Sequence, residues 1–250
     1  MTAPLAATRM AQPFSIESLR FNAFQGILFT PGTQIPTSRI LGRLLEKFGA
    51  KFDGAPTVLP IPLEANPDIP RIILQSADNQ WALDVALARI NFRWVQMKDD
   101  QQLQPTDFRE QFLRFVEGLL QIEPAMQIGR LAYVLTRYVL NDMPASLIAE
   151  RLCGDRILQK ESGELENVEV HVHKRKKLAN TFEVNEWNRF KSGLLNLPGT
   201  PSRKIALVEQ DINTLAENAP VTLFNADDVR RFTDAAVKET AESLRLLLEN

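Results

Sequence analysis

A chain of 250 residues, 44% hydrophobic and 24% charged, can bury one large core or two small ones, and this ordinary composition excludes wholesale disorder and fibrous repeats. A formal net charge of −2 supplies no field that draws the whole protein onto nucleic acid or anionic lipid, so any such contact needs a local patch. The single cysteine, Cys153, permits no intramolecular disulfide and is read as the mark of a reducing, cytoplasmic compartment. Met1 to Pro13 has no signal-peptide core, and no run of about 18 apolar residues is long enough to span a bilayer.

Apolar residues alternate from Leu19 to Phe29, which predicts a strand closed by Pro31-Gly32. Thr37 or Ser38 opens a short helix carrying Ile40, Leu41, Leu44, Leu45 and Phe48, with Gly49 placed for a positive-φ cap. Pro56, Pro60, Pro62, Pro67 and Pro70 restrict the next stretch to an edge strand and a loop. Arg71 to Ser76 is a short strand, and Ala77-Asp78-Asn79 is turn chemistry. Trp81 to Met97 reads as one long strand whose apolar parity changes midway, so a β-bulge is expected near Ala88-Arg89. From Pro105 a helix carries the stripe Phe108, Phe112, Phe115, Leu119 and Ile122, and Pro124 ends it.

The second part runs in the same order. Ile128 to Leu140 is apolar on both parities, as in a central strand. Met143-Pro144 opens a short helix closed by Gly154, and a polar loop over 155–163 follows. Val168, Val170 and Val172 alternate along a strand, Phe182 to Phe190 forms another, and Gly193 to Pro201 reads as a connection. Lys204 to Asn213 is the last strand, and Asn225 caps a final helix with Val229, Phe232, Ala236, Leu244 and Leu247. The fold class is therefore α+β: a mostly antiparallel sheet from two βαβββα-like halves, 1–124 and 125–250, sharing one core with the long helices on one face. The open face is left to bind something or to be covered by a second subunit.

The run Ile90-Asn91-Phe92-Arg93-Trp94 and the later echo Asp211-Ile212-Asn213 resemble strand signatures of a sporadically distributed family of uncharacterised bacterial and archaeal proteins of about this length. Arg93, between Phe92 and Trp94, departs from that pattern. The resemblance implies a prokaryotic origin and patchy inheritance, common among mobile defence and toxin–antitoxin genes; it carries no activity and no catalytic residues.

Three groups are candidate sites. Glu169, His171 and His173 share one strand face, a ligand set of the kind that holds zinc or iron, although Glu169 and His173 stand about 13 Å apart along an extended chain. An amphipathic strand, with its valines buried and these three lining the solvent side, is the stronger reading. Lys174, Arg175, Lys176 and Lys177 form a basic run that suits phosphates, with Trp187 or Phe182 available to stack on a base, or a solvated hairpin tip that discourages edge pairing. Asp84 and Asp211 read either as paired carboxylates or as partners of arginines such as Arg93 and Arg137. Cys153 reads as a small buried residue. No nucleophile elbow, phosphate loop or dinucleotide fingerprint is present, and no cofactor is called for. The leading expectation is a protein-binding or regulatory module, antitoxin-like or a phage-defence-associated adaptor, without catalysis of its own. It would have a protein partner in a homo- or hetero-oligomer and no membrane. The alternatives are nucleic-acid binding through Lys174 to Lys177, or a metal-dependent enzyme using Glu169, His171 and His173.

Overall fold

The computed structural model describes residues 14–30, 35–153, 165–218 and 222–249. Their strands are β1 (Arg20–Phe29), β2 (Thr57–Val58), β3 (Ile72–Gln75), β4 (Trp81–Val85), β5 (Arg89–Val95), β6 (Arg130–Leu140), β7 (Glu169–Leu178), β8 (Phe182–Leu195) and β9 (Arg203–Thr214). The helices are α1 (Thr37–Phe48), α2 (Pro105–Ile122), α3 (Pro144–Leu152) and α4 (Ala226–Leu248). All nine strands join one antiparallel sheet in the order β2-β3-β4-β5-β1-β6-β9-β8-β7. The α+β class with a mostly antiparallel sheet is what the hydrophobic alternation calls for, and no described helix is long and apolar enough to cross a membrane.

From the central pair outward the order is β1, β5, β4, β3 on one side and β6, β9, β8, β7 on the other, so the strands repeat about an axis through the β1–β6 ladder. The echo noted in the sequence falls on equivalent places. Asn91 pairs with Ile27, Ile27 with Ala132, and Ala132 with Asn213, which sets the two asparagines symmetrically in one row across four strands. The long helices exchange ion pairs: Arg109 of α2 pairs with Asp234 of α4, and Arg230 of α4 pairs with Glu117 of α2, the arginines at equivalent positions and the carboxylates one turn apart. Each arginine is the fifth residue of its helix.

All four described α-helices lie on one face. Phe108, Phe112 and Phe115 of α2 meet Phe24 and Phe92, and Ile40 and Leu44 of α1, Leu28 of β1 and Phe232 of α4 belong to the same buried cluster. Ile148 of α3 and Leu244 of α4 pack with Val139, Phe190 and Val208. Asn225 caps α4 as expected, accepting from the Asp228 amide at 2.9 Å while the Asp228 carboxylate accepts from the Asn225 amide.

Four details differ from the sequence reading. The parity change between Val85 and Ile90 is a hairpin corner between two strands, not a bulge within one, so four strands rather than three follow α1. Gly49 continues the helical turn with φ −59° instead of adopting a positive φ, because the chain bonds onward from Phe52 N to Phe48 O. The β8 strand runs on to Leu195, through the start of the expected connection, because its outer residues still pair with β9. The basic run lies inside β7, and the hairpin tip is Ala179-Asn180, both at positive φ. Pro31-Gly32, Gly154 and the 155–163 loop lie outside the described residues.

Candidate functional site: the open face of the sheet

Alternation puts every second residue of each strand on the face without helices. Near the axis that face carries an apolar strip of Ile27, Phe29, Ala132 and Val134. Polar groups bonded to one another flank it on both sides. In the first half Asn91 donates to Gln25 at 3.2 Å and to Asp84 at 3.4 Å, and Arg93 donates to Asp84 at 3.1 Å. In the second half Arg189 donates to Glu209 at 2.7 Å and reaches Asp211 at 3.8 Å, while Asn213 donates to Asp211 at 2.9 Å. Burial raises the Asp211 carboxyl, and Asn213 and Arg189 oppose the rise. Asp84 thus pairs with Arg93 as the sequence allowed. Asp84 on β4 and Asp211 on β9 are four strands apart and form no carboxylate dyad.

The β7–β8 hairpin adds an aromatic platform. His173 stacks on Trp187 with ring centroids 4.0 Å apart and planes 10° apart, and Arg189 lies 5.0 Å from the same indole. His173 also bonds Asn185 at 3.1 Å. His171 instead meets Glu169 at 2.9 Å, and that contact holds the Glu169 carboxyl below its usual range. The structure therefore brings Glu169 and His171 together and draws His173 away. Among the described residues no three side chains of metal-ligand type converge. At one end the face is closed by Asp99, which takes Arg20 and Arg203, over a small cluster of Tyr138, Leu195, Leu197 and Ile205.

The four basic residues do not act as one patch. Arg175 and Lys177 point to the open face, where Arg175 is paired with Glu217 at 2.7 Å. Lys174 and Lys176 point to the helix face, and Lys176 is held between Glu186 and Glu239. Phe182 is buried against Phe224 and Phe232, so of the two proposed stacking residues only Trp187 reaches the open face, and His173 already covers it. Cys153 is half-buried at the end of α3.

The sequence reading missed a polar chain on the helix face of the second half. Arg137, expected beside a surface aspartate, is buried and donates to Gln210 at 2.7 Å, with the Phe21 ring 5.2 Å away. Gln210 donates to Asn188 at 2.9 Å and to the Thr240 carbonyl at 2.9 Å, and Asn188 donates to Glu186 at 3.0 Å. Its signal was parity: Glu186, Asn188 and Gln210 alternate in step with Val184, Phe190, Val208 and Ile212. Burial pushes Glu186 up, but the Asn188 and Lys176 hydrogen bonds outweigh it and leave the carboxyl below its ordinary value of 4.5. The stability it contributes is present above pH 4.5 and is lost as pH falls through the lowered value. For Lys176, burial is outweighed by Glu239 and Glu186, so its contribution is complete below 10.5 and lost on further alkalinisation.

One lysine elsewhere is perturbed the other way. Lys51 sits 3.5 Å from the centre of the Trp81 ring and donates to Gln111 at 3.1 Å. Burial, with help from the Arg114 guanidinium, pushes it down to about 8. The fold should therefore gain stability as pH rises from about 8 towards 10.5, where the unfolded chain still holds the proton. An NMR titration of reductively 13C-methylated protein is expected to show one lysine with a midpoint near 8 that disappears in Lys51→Arg. A Lys51 midpoint among those of the exposed lysines would overturn it.

Geometry thus defines an α+β protein with a one-sided helix layer and a preformed polar and aromatic sheet face. No protein-family model, no curated protein and no solved structure matches the chain.

Proposed function

We propose that this protein is a protein-binding module whose working surface is the open face of its sheet. The observation that carries the reading is the composition of that face. Among the described residues the face carries, around a central apolar strip, seven arginines, Arg20, Arg89, Arg93, Arg130, Arg175, Arg189 and Arg203, and the Trp187 indole, against two lysines, Lys177 and Lys191. Protein interfaces have this makeup, because arginine and tryptophan deliver contact area and directed hydrogen bonds at little entropic cost, whereas lysine is depleted. Most of these arginines are already fixed by carboxylates on the same face, so a partner meets a surface that needs little reordering. The strand signatures that resemble a sporadically inherited family support a toxin or another defence component as that partner.

Nucleic acid is the less favoured ligand. A phosphate backbone needs an unbroken cationic track, while Asp84, Glu209 and Asp211 stand among the arginines here and repel it. The test is site-specific photo-crosslinking in the native host, with the reactive group at Val134 or His173 on the open face and at Glu110 or Glu242 on exposed helix surfaces. One nuclease-resistant protein adduct from the open-face positions alone is expected. Adducts from the helix positions alone, or adducts removed by nuclease, would overturn the reading.

A further inference from the structure

Among the described residues seven arginines reach the open face, and five have a carboxylate: Arg20 and Arg203 share Asp99, Arg93 has Asp84, Arg175 has Glu217, and Arg189 has Glu209 and Asp211. The other two are neighbours. Arg89 pairs across the ladder with Phe29, and Phe29 pairs on its other side with Arg130. One row therefore reads arginine, phenylalanine, arginine over β5, β1 and β6, its two guanidinium-bearing strands about 10 Å apart. Among the described residues neither arginine has a carboxylate within ion-pair reach.

Arg130 is also set in place. Its Nε donates to the Thr214 carbonyl at 3.0 Å, its Nη2 donates to Asn213 at 2.9 Å, and its guanidinium lies 4.6 Å from the centre of the Phe29 ring. Two of its donors are committed to neutral oxygens, and its nearest interacting carboxylate, Asp211, acts on it only at a distance, beyond Asn213. A guanidinium held this way is preorganised for a bidentate or charge-assisted contact with an incoming anion. The next row along the strands is Ile27 and Ala132, with Val134 beyond, so an anionic group at the arginines has apolar surface beside it.

Resting on the open-face reading above, we propose that the partner presents an extended acidic peptide segment, with a carboxylate at Arg89 and Arg130 and an aliphatic side chain on Ile27 and Val134. Charge complementarity selects the acid and the apolar strip selects its neighbour. A polynucleotide meets only the first requirement.

The experiment is selection of displayed random peptides on the intact chain, followed by affinities of the enriched peptides as synthetic, fluorescein-labelled probes. Enriched peptides are expected to carry Asp or Glu next to Leu, Ile or Val. Arg89→Glu should weaken them by about tenfold or more, because it replaces an attraction with a repulsion. Among the described residues the Arg89 side chain makes no hydrogen bond, and the bond its backbone carbonyl accepts from the Ala86 amide does not depend on that side chain, so this variant should fold normally, and exchanging the peptide's acid for lysine should restore binding to it. Peptides without acidic enrichment, or equal affinity for wild type and Arg89→Glu, would overturn the proposal. Tighter, steeply salt-dependent binding of an oligonucleotide at the same face would overturn it in favour of nucleic acid. Binding lost in Trp187→Ala but retained in Arg89→Glu would remove this inference and leave the open-face reading standing.

Discussion

Gly26→Val is expected to yield little or no folded protein, and Gly26→Ala a chain destabilised by about 1–3 kcal/mol, through overpacking where α2 rests on β1. A Cβ built on Gly26 would lie 2.5 to 2.7 Å from three ring carbons of Phe112. That ring has nowhere to go: Phe112 is 2% exposed, with Phe92 and Phe108 both about 6 Å away, centre to centre. The sign is the informative part, since a glycine within a strand is ordinarily about 0.5–1 kcal/mol worse than alanine. Gly42 provides the control. It sits in α1 with nothing within 4 Å of its would-be Cβ, so Gly42→Ala should raise stability by about the usual glycine penalty. Urea denaturation of both variants measures the contrast, and Gly26→Ala with Phe112→Leu should recover part of the loss because the two sites touch. A Gly26→Ala midpoint at or above that of wild type would show that α2 can shift away.

Much of this fold was legible because strand and helix periods differ. The phenylalanine stripe of α2, the alternation of β1 and the parity of β7 each sort residues to a face without knowledge of the neighbours. The corner between β4 and β5 was not legible, for a physical reason. Ala86-Leu87-Ala88 contains no Gly, Pro or Asn, and the turn is held from a distance. Thr30 N bonds Ala88 O, Ile35 N bonds Leu87 O, and Ala88 N bonds Pro67 O. Beyond the local bond from Ala86 N to Arg89 O, long-range backbone partners hold a corner that has no turn residues, and a local reading sees only a strand that changes phase. The site divides along the same line. Asp84 and Arg93 were visible as polar residues alternating with the apolar ones on either side of the phase change. The Arg89–Phe29–Arg130 row needed the pairing of β5, β1 and β6, which no single segment encodes.

Gln210→Leu is expected to cost about 3–5 kcal/mol, the scale for breaking a buried charged network, out of the roughly 5–15 kcal/mol that holds a domain together. Arg137 is buried, and among the described residues no carboxylate lies against it. Its charge is carried to Glu186 through two amides, by way of Gln210 and Asn188, and Gln210 is the link that accepts from the guanidinium. Leucine would leave Arg137 only the Thr240 carbonyl at 3.3 Å and the Phe21 ring, and would strip Asn188 of a donor. Arg137→Met alone removes the charge, so adding it to Gln210→Leu should recover most of the loss. Non-additivity in that cycle measures the coupling. Burial pushes the Arg137 guanidinium down to about 10. Both folded and unfolded chains therefore hold that proton throughout the neutral range, and the burial cost eases only as pH rises above about 10. The change in Tm on Arg137→Met should accordingly be the same at pH 6 and pH 8, within error. A penalty for Gln210→Leu below about 1 kcal/mol, the worth of one ordinary hydrogen bond, would mean that water or a shifted side chain replaces the amide, and that α4 is registered on the sheet by its apolar contacts alone.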